Sequence, residues 1–129
     1  MREMTYTCFR IPPTILHADT YKGFRFKIVS HGTHPCAYIE IPYSHQIHKV
    51  NYSKIDIQCH GGLTYSGFDK YRSWWIGWDY AHAFDYVGSW NFQDNEEKLK
   101  QWTVREIYQQ IKEVIDRYLI QKEIKIYDD

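Results

Sequence analysis

The chain has 129 residues, and its sixteen Lys and Arg are matched by sixteen Asp and Glu. A chain this long buries roughly two thirds of its unfolded surface, so one core and a single domain over 1–129 are expected without disulfides or a structural metal. With no net field to gather a polyanion, general nucleic-acid binding is disfavoured, and only a localised basic groove stays open.

Residues 1–20 alternate poorly and contain Pro12 and Pro13, which predicts an irregular N-terminal arm or at most a short edge strand. From Tyr21 to Ser30, Phe24, Phe26 and Ile28 alternate with Arg25 and Lys27, the period of a half-buried strand. His31-Gly32-Thr33-His34 supplies a turn, and Pro35 to Ile41 reads as the antiparallel partner. Tyr43 to Lys54 is a polar loop. Ile55 to His60 resumes alternation, with Ile55, Ile57 and Cys59 on one face and Asp56, Gln58 and His60 on the other. After Gly61-Gly62, a short strand over Leu63 to Ser66 and an aromatic one over Trp74 to Asp79 are expected. A charged connection over Asn91 to Gln101 leads to Thr103-Val104-Arg105-Glu106, which matches a capping box. Apolar residues then recur at Val104, Ile107, Tyr108, Ile111, Ile115, Tyr118 and Leu119, so 103–120 is an amphipathic helix. The predicted fold is α+β: a small, mainly antiparallel sheet of four to five strands, with a long C-terminal amphipathic helix packed on one face.

Cys8, Cys36 and Cys59 are odd in number and form no CxxC pair, which suits reduced thiols. No apolar run approaches the length of a membrane span, and the first twenty residues do not read as a signal peptide, so a cytoplasmic, non-membrane protein is expected. Twelve Tyr, five Trp and six Phe compete for a small interior, so several should line a cleft or contact surface.

Asp79, His82 and Asp85 are spaced by three. They converge if the strand ends near Asp79 and a turn or short helix follows, a change of direction eased by Gly77 and Gly88. Two carboxylates around an imidazole can bind a divalent cation such as Zn, Mn or Mg, or orient the histidine for acid–base work. They can equally do no more than satisfy a buried His82 or cap a turn. His60-Gly61-Gly62 ends a strand, where paired glycines let backbone amides approach a phosphate and also suit a plain hairpin turn. No Walker-type lysine and no GxGxxG accompany them. His60 would join Asp79 and His82 if their strands are neighbours, and His45 or His48 could reach the same place from its loop. Cys59 reads as core, and His17, His31 and His34 show no partner pattern.

Three segments carry a resemblance: Ile41-Pro42-Tyr43-Ser44-His45 followed by Tyr52, then His60-Gly61-Gly62-Leu63-Thr64-Tyr65, then Trp74-Trp75-Ile76-Gly77-Trp78-Asp79 running into Ala81-His82-Ala83 and Asp85. Over residues 41–85 the chain resembles a family of small uncharacterised proteins of phages, prophages and bacteria. Gln46, Trp78 and Phe84 depart from that family's pattern, while the polar residues are kept. The resemblance implies that His45, His60, Asp79, His82 and Asp85 form one site, and that the protein has a phage or mobile-element setting with a role against host defence.

Two functions follow as expectations. The first is a small metal-dependent hydrolase acting on a phosphate ester or nucleotide. In it His60, Asp79 and His82 hold the metal, and Asp85 orients or adds a ligand. His45, with His60, His82 and Asp85, carries the catalytic chemistry. Gly61, Gly62 and Thr64 would seat the phosphate, and Tyr52 and Trp75 would pack on a base. The co-occurrence of acid, imidazole and glycine elements favours this reading. The second is a non-catalytic binding protein that captures a nucleotide signal or inhibits a host defence protein, for which Tyr and Trp are strong anchors. An inhibitor of a nuclease acting by protein contact is a third.

Overall fold

The computed structural model describes residues 13–81, 100–121 and 123–127. Five strands, β1 (Thr14–Tyr21), β2 (Phe24–Ser30), β3 (Pro35–Ile41), β4 (Tyr65–Phe68) and β5 (Trp74–Asp79), form one antiparallel sheet in the order β1-β2-β3-β5-β4. Helix α1 (Val104–Val114) lies across β1, β2 and β3. This is the α+β architecture that the periodicity predicts.

Alternation decides the two faces of the sheet. In register, Phe26 pairs with Ile39, Ile28 with Ala37, Ile39 with Ile76 and Ala37 with Trp78. These side chains meet Ile107, Ile111, Ile115 and Leu119 from the helix in one buried cluster. The intervening residues, Lys27, Tyr38, Trp75 and Asp79 among them, therefore project to the opposite face, which no described helix covers.

The helix begins where the sequence says it should. The Thr103 side chain accepts from the Glu106 amide at 3.2 Å, and Glu106 accepts from the Thr103 amide at 3.0 Å, closing the capping box. Its last turn, Ile115–Leu119, widens to π geometry, with the Ile120 amide bonded to the Ile115 carbonyl at 3.0 Å. Lys22, whose φ is 48°, and Gly23, at 89°, make the tight β1–β2 turn. Asp116 accepts from Lys22 Nζ at 2.9 Å and from the Tyr21 hydroxyl, which ties that turn to the helix.

Two sequence expectations change. β1 is a full eight-residue edge strand, and its pairing slips between Ile15 and His17, leaving Leu16 as an extra residue. The bulge breaks the period-two signal and also blunts the sheet edge. Residues 55–60 do not join the sheet. Ile55 and Ile57 are buried and Asp56 and Gln58 exposed, as alternation predicts. Their hydrogen bonds, however, run to the C-terminal tail: Asp56 N–H to the Lys125 carbonyl at 3.0 Å, and Tyr127 N–H to the Lys54 carbonyl at 2.8 Å. Among the described residues, no helix is long and apolar enough to cross a membrane.

Candidate functional site

His45 is 6% exposed and belongs to the core. The loop after β3 turns its ring beneath Phe24, edge-on at 5.9 Å between centroids. Its Nε2 lies 2.8 Å from the Leu119 carbonyl, and its Nδ1 accepts from the Ile47 amide at 3.2 Å. An acceptor on one nitrogen and a donor on the other fix the neutral tautomer with the proton on Nε2. Since the last carbonyls of a helix have no partner within it, His45 acts as a distant cap for the helical end. This corrects the acid–base role expected for His45: both ring nitrogens are committed to backbone groups inside the protein. Gln46 reinforces the same junction by donating to the Ile124 carbonyl at 3.1 Å.

Residues 59–62 form a tight turn, with the Gly62 amide bonded to the Cys59 carbonyl at 2.9 Å and Gly61 and Gly62 at φ of 71° and 82°. The glycines are needed for that left-handed backbone. The turn presents His60 to the helix side of the sheet, where its ring stacks on Tyr80 at 4.7 Å with 7° between planes and leans on Trp102 at 4.9 Å. Tyr80 is itself fixed by hydrogen bonds with the Trp78 indole and with Gln110. A cavity of about 120 Å³ borders His60, Gln58, Gln110, Glu113 and Arg117.

Asp79 lies between Trp78 and Tyr80, which both turn into the core, so its carboxylate leaves on the face opposite α1. There it accepts from the Thr64 hydroxyl at 3.2 Å and the Ala81 amide at 3.1 Å. Thr64 and Asp79 thus meet, while His60 and Asp79 point to opposite faces. That divergence does not fit a metal shared by these two side chains. His82 and Asp85, the remaining members of the expected cluster, lie outside the described residues. Among the described residues, no group of three His, Cys, Asp or Glu side chains is placed to hold a metal ion. Tyr52 opens a short 3-10 turn beside β4, its amide donating to Ser66 Oγ at 3.0 Å.

Trp75, the remaining expected ligand contact, leads to a site that spacing did not suggest. Trp75 is only 5% exposed although its side chain projects to the face opposite α1. The Lys27 ammonium sits 4.4 Å from the Trp75 ring centroid and 5.7 Å from that of Tyr38. The indole N–H donates to Asp69 Oδ2 at 3.0 Å. Tyr38 crosses β5 over Gly77 and meets Tyr65 edge-on at 5.6 Å, while its hydroxyl shares a hydrogen bond with His31 Nε2 at 3.1 Å. These side chains line a groove of about 260 Å³. No protein family model, curated protein or solved structure matches the chain.

The electrostatics of this face favour fixed charges over titrating ones. The amide of Ser73 and the indole of Trp75 hold the Asp69 carboxyl below the usual carboxylate range, with Lys27 adding to the effect. Burial pushes the Tyr38 phenol up, so it remains a neutral donor. Burial likewise raises the Cys36 thiol to about 11 and the Cys59 thiol to about 12, so neither forms a thiolate nucleophile near neutral pH. Lys27, Tyr38, Tyr65, His31 and Asp69 were missed because the site depends on strand register. The available signal was Lys27, Tyr38 and Trp75 at alternating positions on three strands, with the side-chain-free Gly77 between two aromatic neighbours.

Proposed function

We propose that this protein captures a small anionic ligand bearing a flat ring, a nucleotide or similar phosphate-bearing aromatic, in the groove on the sheet face opposite α1. The observation that carries the reading is the Lys27 ammonium held against the Trp75 and Tyr38 rings at the mouth of that groove. A cation steadied by two aromatic faces is positioned to receive a phosphate. The exposed ring of Tyr65 offers a surface for a base.

Capture without turnover is supported by the commitments of the other groups. The His45 nitrogens are taken up by the backbone, and His60 and Asp79 lie on opposite sides of the sheet. Joined to the resemblance over residues 41–85, this makes sequestration of a host signal nucleotide the setting we favour.

Titration calorimetry with nucleoside mono- and diphosphates tests the reading, together with mass spectrometry of the recovered ligand. Binding that is lost in Lys27→Ala, with ligand recovered intact, is the expected result. Turnover of the ligand would overturn capture, and binding indifferent to Lys27→Ala would overturn the site.

A further inference from the structure

A second groove, of about 660 Å³, opens on the other side of Asp69 and is lined by Tyr43, His48, Lys49, Phe68 and Arg72. Its aromatic side chains form a run. Tyr43 meets His48 at 5.2 Å between ring centroids, His48 meets Phe68 at 6.0 Å, and Phe68 packs edge-on against Trp74 at 4.8 Å. The inner end of this run adjoins the core, while Tyr43 is 87% exposed and Phe68 47% exposed. Large rings left this open contribute little to folding, and together they offer flat faces to an incoming molecule.

Cations stand on both banks. Lys49, on the loop after β3, and Arg72, on the loop joining β4 to β5, line the groove, and beside Arg72 the Lys70 ammonium lies 5.3 Å from the centroid of the Tyr71 ring, which is 76% exposed. Lys49 and Arg72 both have left-handed backbones, φ 69° and 67°, within turns closed by hydrogen bonds from Val50 to Ile47 and from Arg72 to Asp69. Among the described residues that line this groove the acidic one is Asp69, and its oxygens are engaged by the Tyr71 and Ser73 amides and the Trp75 indole. A chain of zero net charge therefore carries a local surface that is basic and aromatic at once.

We infer that this groove binds single-stranded nucleic acid. Unpaired bases supply flat faces for Tyr43 and Phe68, and the phosphates between them suit Lys49, Lys70 and Arg72. A duplex hides its base faces in its own stack, and a purely apolar partner leaves the three cations without a counterpart. The inference does not rest on the Lys27 groove, which shares Asp69 with this one but takes its cation and its aromatic walls from other residues.

Fluorescence anisotropy of the full chain with labelled eight-nucleotide oligo-dT and oligo-U, beside a duplex of the same length, is the test. Single strands should bind in preference to duplex, and three neutralised phosphates give a slope of about −2 for log affinity against log salt. Tyr43→Ala, at an exposed position that leaves the fold intact, should weaken binding about tenfold or more through one lost stacking contact. Arg72→Ala should flatten the salt slope by about 0.7. Arg105→Ala, on the outer side of α1, should change neither. Equal binding of duplex, affinity that survives Tyr43→Ala, or no binding of either oligonucleotide would overturn the inference.

Discussion

Two backbone groups in the core depend on one imidazole. Without His45, the Leu119 carbonyl and the Ile47 amide lose their partners and a cavity opens beneath Phe24. His45→Ala is therefore expected to cost about 2–4 kcal/mol of stability, combining the stranded polar groups with the lost packing. Thermal or urea unfolding measures it. A variant as stable as the parent would contradict the capping role and return His45 to the list of residues free for chemistry. Spacing cannot separate these two roles of His45, because a cap for a carbonyl 74 positions away and a loop acid–base group look the same in one dimension. The same limit hid Lys27 and Tyr38, ordinary members of alternating strands until register brings them to Trp75.

At the scale of single elements, Gly77 does what no other residue could at that place in β5. A Cβ there would stand 2.5 Å from Tyr38 Cδ1 and 2.8 Å from the Ala37 carbonyl oxygen. Gly77→Ala should force the Tyr38 ring off the strand and cost about 1–3 kcal/mol, the usual penalty for overpacking. It should also weaken ligand capture at the Lys27 groove, because Tyr38 forms one of its walls. An unchanged melting temperature together with unchanged affinity would mean that the ring has room elsewhere. Elements were legible wherever local pattern and tertiary partner agree, as in the β2–β3 hairpin, β5 and the capped helix. They were not legible where the partner is remote. Ile55 and Ile57 alternate like a strand because burial alternates, yet the neighbouring chain is the C-terminal tail and not the sheet. In β1, one extra residue at Leu16 erased the period.

For the molecule as a whole, acid is the most informative perturbation. Lys100 and the Thr103 amide hold the Glu106 carboxyl below its ordinary value, Lys22 and Tyr21 do the same for Asp116, and the Ser73 amide and Trp75 indole for Asp69. A depressed folded value means that the stabilisation is complete above the unfolded carboxyl range of about 3.9–4.3 and is lost as pH falls through the folded values. These groups are exposed, so added salt should blunt the effect of the ion-paired pair, Glu106 and Asp116, more than that of Asp69, whose leading partners are neutral donors. Melting temperatures compared between pH 6 and pH 3, at low and high salt, should fall with acid and fall less steeply in salt for Asp69→Asn than for the parent. A flat acid profile would remove all three carboxylates from the account of stability. The overall α+β layout was readable because apolar periodicity reports which side of each element is buried. The grooves were not, because they depend on which side chains strand register and loop turns bring together. Asp69 is a wall of both grooves, and one carboxylate holds the Trp75 ring of the first and the Arg72 loop of the second. If an occupant on one side shifts Asp69 and so changes affinity on the other, thermodynamic reciprocity makes the factor equal in both directions. Replacing Asp69 would therefore disturb both grooves at once, so a variant there cannot separate them, whereas Lys27 and Tyr43 each belong to one.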